Sequence, residues 1–237
     1  MNRGKKYRAA VEQVDREREY APPDAVELVK KVSTSSFDGT VELHMRLGVD
    51  PRHDDQRVRG VAVLPAGTGR KVRILVFAEG DAAREAEEAG ADYVGAEDLA
   101  KRIQGGWLDF DVALATPETM RTTVSKLGKV LGPRGLMPSP RSETVTTDVK
   151  SSIDEIRKGR VQFAVDRAGN IHVPIGKVSF EENQLLNNLA TMIDAIARAK
   201  PSGAKGNYVR SVAIAPTMGP SVRLDVSSAL NLQPSAA

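Results

Sequence analysis

The sequence predicts two domains of mixed class: a discontinuous α+β domain built from residues 1–67 and 160–237, and a three-layer α/β domain, residues 68–159, inserted into it. Three observations predict this. Strands near both ends of the chain alternate apolar and polar residues, as strands with one wet face do. Strands in the middle are short, nearly all apolar and separated by helices, as in a parallel sheet covered on both faces. The style changes at Ala66–Gly69 and again at Lys158–Arg160, beside glycines that permit the backbone changes of a hinge.

The first element is a helix with Tyr7, Ala10, Val11 and Val14 roughly on one face. "APPDAVELVKKVS" predicts a second, with Ala25, Leu28, Val29 and Val32 as its apolar stripe. Proline is tolerated there because first-turn N–H groups have no helical partner. "TVELHMRLGV" is a strand: Val41, Leu43, Met45 and Leu47 lie on one face, Glu42, His44 and Arg46 on the other. "VRGVAVLP", across the polar loop "DPRHDDQR", is expected to pair with it.

In the middle segment "KVRILVFAEG", "DYVG" and "FDVALAT" read as strands. "DAAREAEEAG", "AEDLAKRIQGG", "PETMRTTVSKLGKVL" and "SSIDEIRKG" read as helices. Beyond Gly159, "RVQFAVDRAGNIHVPIG" reads as a hairpin: Val161, Phe163 and Val165 alternate, "DRAGN" turns, and Ile171, Val173 and Ile175 alternate back. "FEENQLLNNLATMIDAIARAK" is a long amphipathic helix, and "YVRSVAIAPTMGPSVRLDV" gives two strands around a Pro/Gly turn.

Composition narrows the chemistry. The 237 residues include no cysteine, which excludes disulfides, thiolate metal sites and a cysteine nucleophile. No apolar run approaches the roughly 18 residues of a membrane span. The basic N-terminal stretch lacks the apolar core of a secretory signal, so a cytoplasmic protein without membrane contact is expected. The net charge of +3 divides into −1 for residues 68–159 and +4 for the remainder, so a polyanion is expected on the discontinuous domain.

Signs of catalysis are weak. His44, His53 and His172 have no metal-ligand spacing, and no metal or cofactor is expected. "GTGRK" lacks the phosphate-loop pattern and precedes a strand instead of following one. Asp109 and Asp111 flank Phe110 as a candidate carboxylate pair, more simply read as polar residues leading into a buried strand. No G-x-S-x-G elbow occurs. No catalytic residue is named, and a nucleotide-dependent enzyme using the inserted domain stands as the alternative reading. A general RNA chaperone would need exposed stacking aromatics, and aromatics make up only 4%.

One stretch, "LGKVLGPRGLMPSP", sets Lys129 and Arg134 among three glycines and three prolines. It resembles the signature of the large-subunit ribosomal protein L-one family, in its bacterial form. "FDGTVELHMRLGVDPRHDDQRVRG", "EEAGADYVG", "GWLDFD", "KPSGAKGNYVRSV" and "TMGPSVRL" resemble the same family in the expected order, so the resemblance spans nearly the whole chain. It implies a split RNA-binding domain with an inserted Rossmann-like domain. It also implies binding to ribosomal RNA at the mobile stalk near the exit site. Assistance in releasing exit-site transfer RNA and repression of translation through the protein's own operon messenger RNA are further implications. The expected state is a ribosomal component in the cytoplasm, monomeric when free.

The resemblance places the RNA site on Thr217, Met218 and Gly219, with Ser211 on the strand leading to that turn. Phe37, Thr40 and Glu42 resemble its second patch, and the turn residues Asp166, Arg167 and Gly169 its third. Hydroxyls and backbone-baring glycines suit structured RNA, which is read by shape, 2′-hydroxyls and unpaired bases. Ser36 stands where many relatives carry lysine. Lys126, Lys129, Arg134 and Arg141 are secondary candidates for phosphate contacts; a rigid loop shaped by its glycines and prolines explains the same stretch.

Overall fold

A computed structural model describes residues 4–204 and 206–233, and the side chain of Arg141 lies outside the described part. In chain order come α1 (Lys5–Glu12), α2 (Pro22–Lys31), β1 (Thr40–Leu47) and β2 (Arg59–Val63). Next are β3 (Ile74–Phe77), α3 (Asp81–Glu88), β4 (Tyr93–Gly95), α4 (Glu97–Gln104), β5 (Val112–Ala115), α5 (Pro117–Thr122), α6 (Gly128–Leu131) and α7 (Val149–Lys158). The chain ends with β6 (Arg160–Ala164), β7 (Asn170–Lys177), α8 (Glu182–Arg198), β8 (Val209–Pro216), β9 (Val222–Leu224) and α9 (Val226–Leu230). Two compact units result: one from the chain up to Gly69 together with the chain from Gly159, the other from Arg70–Lys158. Their borders fall within two residues of the sequence segmentation.

The split unit is α+β. Its main sheet has the order β7-β1-β8-β9, with β1 antiparallel to both neighbours. Val41, Leu43, Met45 and Leu47 of β1 are buried beside Ile171, Val173 and Ile175 of β7 and Val212 and Ile214 of β8. They share one core with Val26 and Val29 of α2 and Leu185, Leu189 and Ile193 of α8. The alternate residues face outward. At about 25 cal/mol per Å² of apolar surface, the buried face is what holds the sheet to its helices.

Two pairings differ from expectation. β2 does not join β1; it pairs with β6, from Arg59↔Ala164 to Val63↔Arg160. β1 is central, and both its edges are taken by strands from the second chain segment. Likewise β6 and β7 are not a laddered hairpin, because the Asp166–Asn170 turn carries the chain from the two-stranded sheet into the four-stranded one. Asn188 of α8, fully buried, ties these parts together. It accepts from Ala66 N–H at 3.0 Å and donates to Gly67 and Ile175 carbonyls at 2.9 and 2.7 Å. A buried amide is tolerable only when bonded in this way.

The inserted unit is a parallel sheet ordered β4-β3-β5. Leu75 and Phe77 pack on one side against Leu99, Ile103, Leu127 and Leu131. Ile74 and Val76 pack on the other against Ala86, Ile153 and Ile156. This is the three-layer arrangement predicted. The single helix expected over 117–131 is broken: α5 stops at Thr122, a 3-10 turn covers Val124–Leu127, and α6 begins at Gly128. Thr122, Thr123 and Val124 are consecutive β-branched residues, and the Thr119 and Thr122 hydroxyls donate to the Phe77 and Glu118 carbonyls.

Candidate nucleic-acid interface

The outward face of the four-stranded sheet is open. Register places Glu42 between Pro174 and Ala215, His44 between His172 and Ala213, and Arg46 between Asn170 and Ser211. Small residues of β8 thus line the middle, with polar groups around them. One end of the face carries the loop before β1 and the β8–β9 turn; the other carries the Asp166–Asn170 turn.

At the first end, Phe37 is 60% and Met218 72% exposed. Neither belongs to the core. The Thr34 hydroxyl donates to the Met218 carbonyl at 3.0 Å and fastens the two loops together. Gly219 N–H donates to Pro216 O at 3.0 Å, closing a turn in which Met218 has φ +66°. Left-handed backbone at that turn position is glycine's role, so a methionine there is held at a cost of about 1–2 kcal/mol. An open groove of about 740 Å³ beside it is lined by Lys6, Tyr7, Ser36, Phe37 and Met218, among others.

Thr217 and Thr40 are bound to each other. Thr217 N–H donates to Thr40 O at 2.8 Å, the Thr217 hydroxyl donates to the same oxygen at 3.1 Å, and Thr40 N–H donates to the Thr217 hydroxyl at 3.0 Å. The Thr217 hydroxyl retains one lone pair for an outside donor. The Thr40 hydroxyl accepts from Lys177 Nζ at 3.0 Å. Gly219 has an internal reason: a Cβ there would lie 2.5 Å from Pro216 Cγ and 3.1 Å from Val32 O.

The other end holds Asp166, Arg167, Gly169 and Ser211. Six strand steps separate Thr40 from Arg46, about 20 Å at 3.3 Å per residue, so Ser211, opposite Arg46, lies with the Asp166–Asn170 turn and apart from the Thr217 turn. Asp166 is occupied in shaping its turn. Its carboxylate accepts from Asn170 N–H at 2.7 Å and Ala168 N–H at 2.8 Å. The Asn170 N–H bond leads the set that holds this carboxyl below the usual range. Gly169 is buried with φ +83° and sends its carbonyl to Leu47 N–H at 2.8 Å. Arg167 and Ser211 are exposed.

Sequence reasoning missed the centre of the face. His44 and His172 meet there, Nδ1 to Nδ1 at 2.8 Å. Both occupied wet positions in their strands, but with β1 assigned to β2 nothing brought them opposite one another.

Lys126, Lys129 and Arg134 are exposed on the inserted unit. In that unit, the turn after β3 bears Glu79 and Asp81 at the start of α3, where a nucleotide phosphate would need amides and positive charge. Asp111 accepts from Arg73 N–H at 3.1 Å and pairs with Arg70 at 2.5 Å; Asp109 pairs with Arg73 at 2.5 Å. These carboxylates are ion-pair partners. Among the described residues no group of three or more His, Asp or Glu is arranged to hold a metal ion, and no helix is long and apolar enough to cross a membrane.

The model of the Ribosomal protein L1p/L10e family matches residues 29–220, from within α2 to just past the Met218 turn.

Proposed function

We propose, from the premise that this chain belongs to the ribosomal protein L1p/L10e family, a docking mode for its RNA. Membership makes it a structural component of the ribosome that binds large-subunit ribosomal RNA. The proposal is that this RNA lies on the open face of the split unit. Phe37 and Met218 meet ribose or base faces, the Thr217 hydroxyl accepts from a 2′-hydroxyl, and Glu42 and Ser211 extend the contact along the sheet. Arg167 meets phosphate at the far end.

The observation that carries this reading is the Met218 turn. An exposed thioether held in left-handed backbone beside an exposed phenylalanine is strain without internal return, and such strain collects at ligand sites. Met218→Gly removes the side chain and relieves the backbone. Affinity for a large-subunit RNA fragment is expected to fall by about 1–3 kcal/mol, the range for apolar or stacking contacts to a base. The melting temperature should stay level or rise. Unchanged affinity in a titration would remove the turn from the interface.

The same face also serves two finer roles in this proposal: binding the protein's own messenger RNA to repress its translation, and helping deacylated transfer RNA leave the exit site from the mobile stalk. The first rests on a single shape-reading surface being able to take two similar RNA folds. Reporter translation from the protein's own leader should fall when the protein is added, and Met218→Gly should restore it.

A further inference from the structure

Four side chains form a row from the middle of the open face to its Asp166–Asn170 end. Glu42 Oε2 lies 3.9 Å from His44 Nε2. His44 Nδ1 lies 2.8 Å from His172 Nδ1. His172 Nε2 lies 3.6 Å from Asp166 Oδ2. The rings meet edge-on, with centroids 5.0 Å apart and planes at 62°.

Counting hydrogens shows what this row accepts. Two neutral rings carry two N–H groups. The Nδ1–Nδ1 contact requires one of them. The ring that supplies it then turns a bare Nε2 toward a carboxylate, lone pair against negative charge. One added proton removes the conflict: both Nε2 atoms carry hydrogen toward their carboxylates, and one hydrogen remains between the rings. A second added proton would set N–H against N–H at 2.8 Å. The row therefore fits one extra proton, neither none nor two.

We propose that His44 and His172 share one proton at the centre of the RNA-facing sheet, and that docking of the RNA backbone retains this proton. His172 carries it, donating through Nδ1 to His44 and through Nε2 toward Asp166. His44 stays neutral, with its Nε2–H toward Glu42. Burial, and then the facing His172 ring, push the His44 imidazole below its ordinary range, against the pull of Glu42. With the proton the row has charge −1; without it, −2, directly beneath a polyanion. The negative potential of RNA favours the protonated form, so bound protein keeps its proton to higher pH than free protein.

The neighbouring charges do not replace this effect. β1 adds Arg46, two residues beyond His44, and the turn adds Arg167. Lys177 lies at the far end of β7 on the Thr40 hydroxyl. β8 brings Ala213 opposite His44, and β9 brings Arg223 beyond it.

The inference rests on the open face being the RNA surface, and the experiment separates the two. Affinity of the whole protein for a large-subunit ribosomal RNA fragment is measured from pH 6 to pH 8.5 at fixed salt. It should fall with rising pH, approaching tenfold per unit where one proton is gained on binding. His172→Gln and His44→Gln should flatten that dependence, and His53→Gln should not. Equal pH slopes in wild type and His172→Gln would overturn the proposal. Imidazole nitrogen spectra of the free wild-type protein give a second readout that needs no variant. They should show His172 taking up the proton while His44 Nδ1 remains bare; two rings titrating independently of one another would overturn it. Absence of RNA binding at every pH would count against the docking surface, and the ring spectra would then decide proton sharing alone.

Discussion

Thr217 and Gly219 each meet a demand of the fold at a turn proposed for RNA contact. Both were named for contacts to RNA, and both have internal partners. Thr217→Val leaves Thr40 N–H without its acceptor, so stability should drop by about 1–3 kcal/mol in denaturant titration. Any loss of RNA affinity must then be measured where the variant is still folded. A stability equal to wild type would mean the Thr40–Thr217 pair contributes nothing to the turn. The candidate residues at this turn came from the family resemblance; taken alone, Thr217–Gly219 reads in the sequence as an ordinary turn between strands. The internal engagements of these residues were not legible there. Asp166 and Gly219 look like ligand contacts until Asn170 N–H, within the same turn, and Val32 O, from a distant segment, are seen beside them. The His44–His172 contact was hidden for a related reason: it exists only across a strand pairing between distant segments.

At the scale of elements, alternation located most strands and helices, since burial of one face is a local pattern. Partner choice is not local. β2 and β1 are neighbours in sequence, yet each pairs with a strand from the far side of the inserted unit. α9 was not anticipated; its signal is Asp225 at the N-cap, accepting from Ser228 N–H at 2.8 Å. α8 and β8 are joined by Tyr208, whose buried hydroxyl donates to Ile196 O at 3.0 Å. Burial pushes this phenol up to about 12. The folded state thus keeps a proton that the unfolded chain loses from about pH 10, where tyrosine ordinarily ionises. Stability should decline as pH rises from about 10 toward 12, because there the folded form binds more protons than the unfolded. In Tyr208→Phe that decline should shrink in alkaline melting curves, although the variant begins from lower stability at neutral pH. An identical alkaline slope would remove Tyr208 as the cause.

For the molecule as a whole, each unit has its own core and its own sheet. Where the chain leaves and re-enters the split unit, β2 and β6 run antiparallel, and Leu64 N–H donates to Gly159 O at 3.1 Å. A short turn can therefore replace Arg70–Lys158. The shortened chain should fold and bind the ribosomal RNA fragment nearly as the full chain does, while Arg70–Lys158 alone should not. The reverse result would move the interface to the inserted unit and to Lys126, Lys129 and Arg134.

The β2–β6 ribbon also bears on the order in which the protein comes into being. Its two halves, β2 ending at Val63 and β6 starting at Arg160, are separated by 96 intervening residues, and bringing the ends of so long a free loop together carries an entropy of roughly 4 kcal/mol. During synthesis the earlier half must wait, its apolar strand β1 still lacking both neighbours, until those residues have emerged. Collapse of the intervening stretch into its own parallel sheet shortens the effective tether. The insert is thus free to fold first, and the four-stranded sheet of the split unit is the last to be completed.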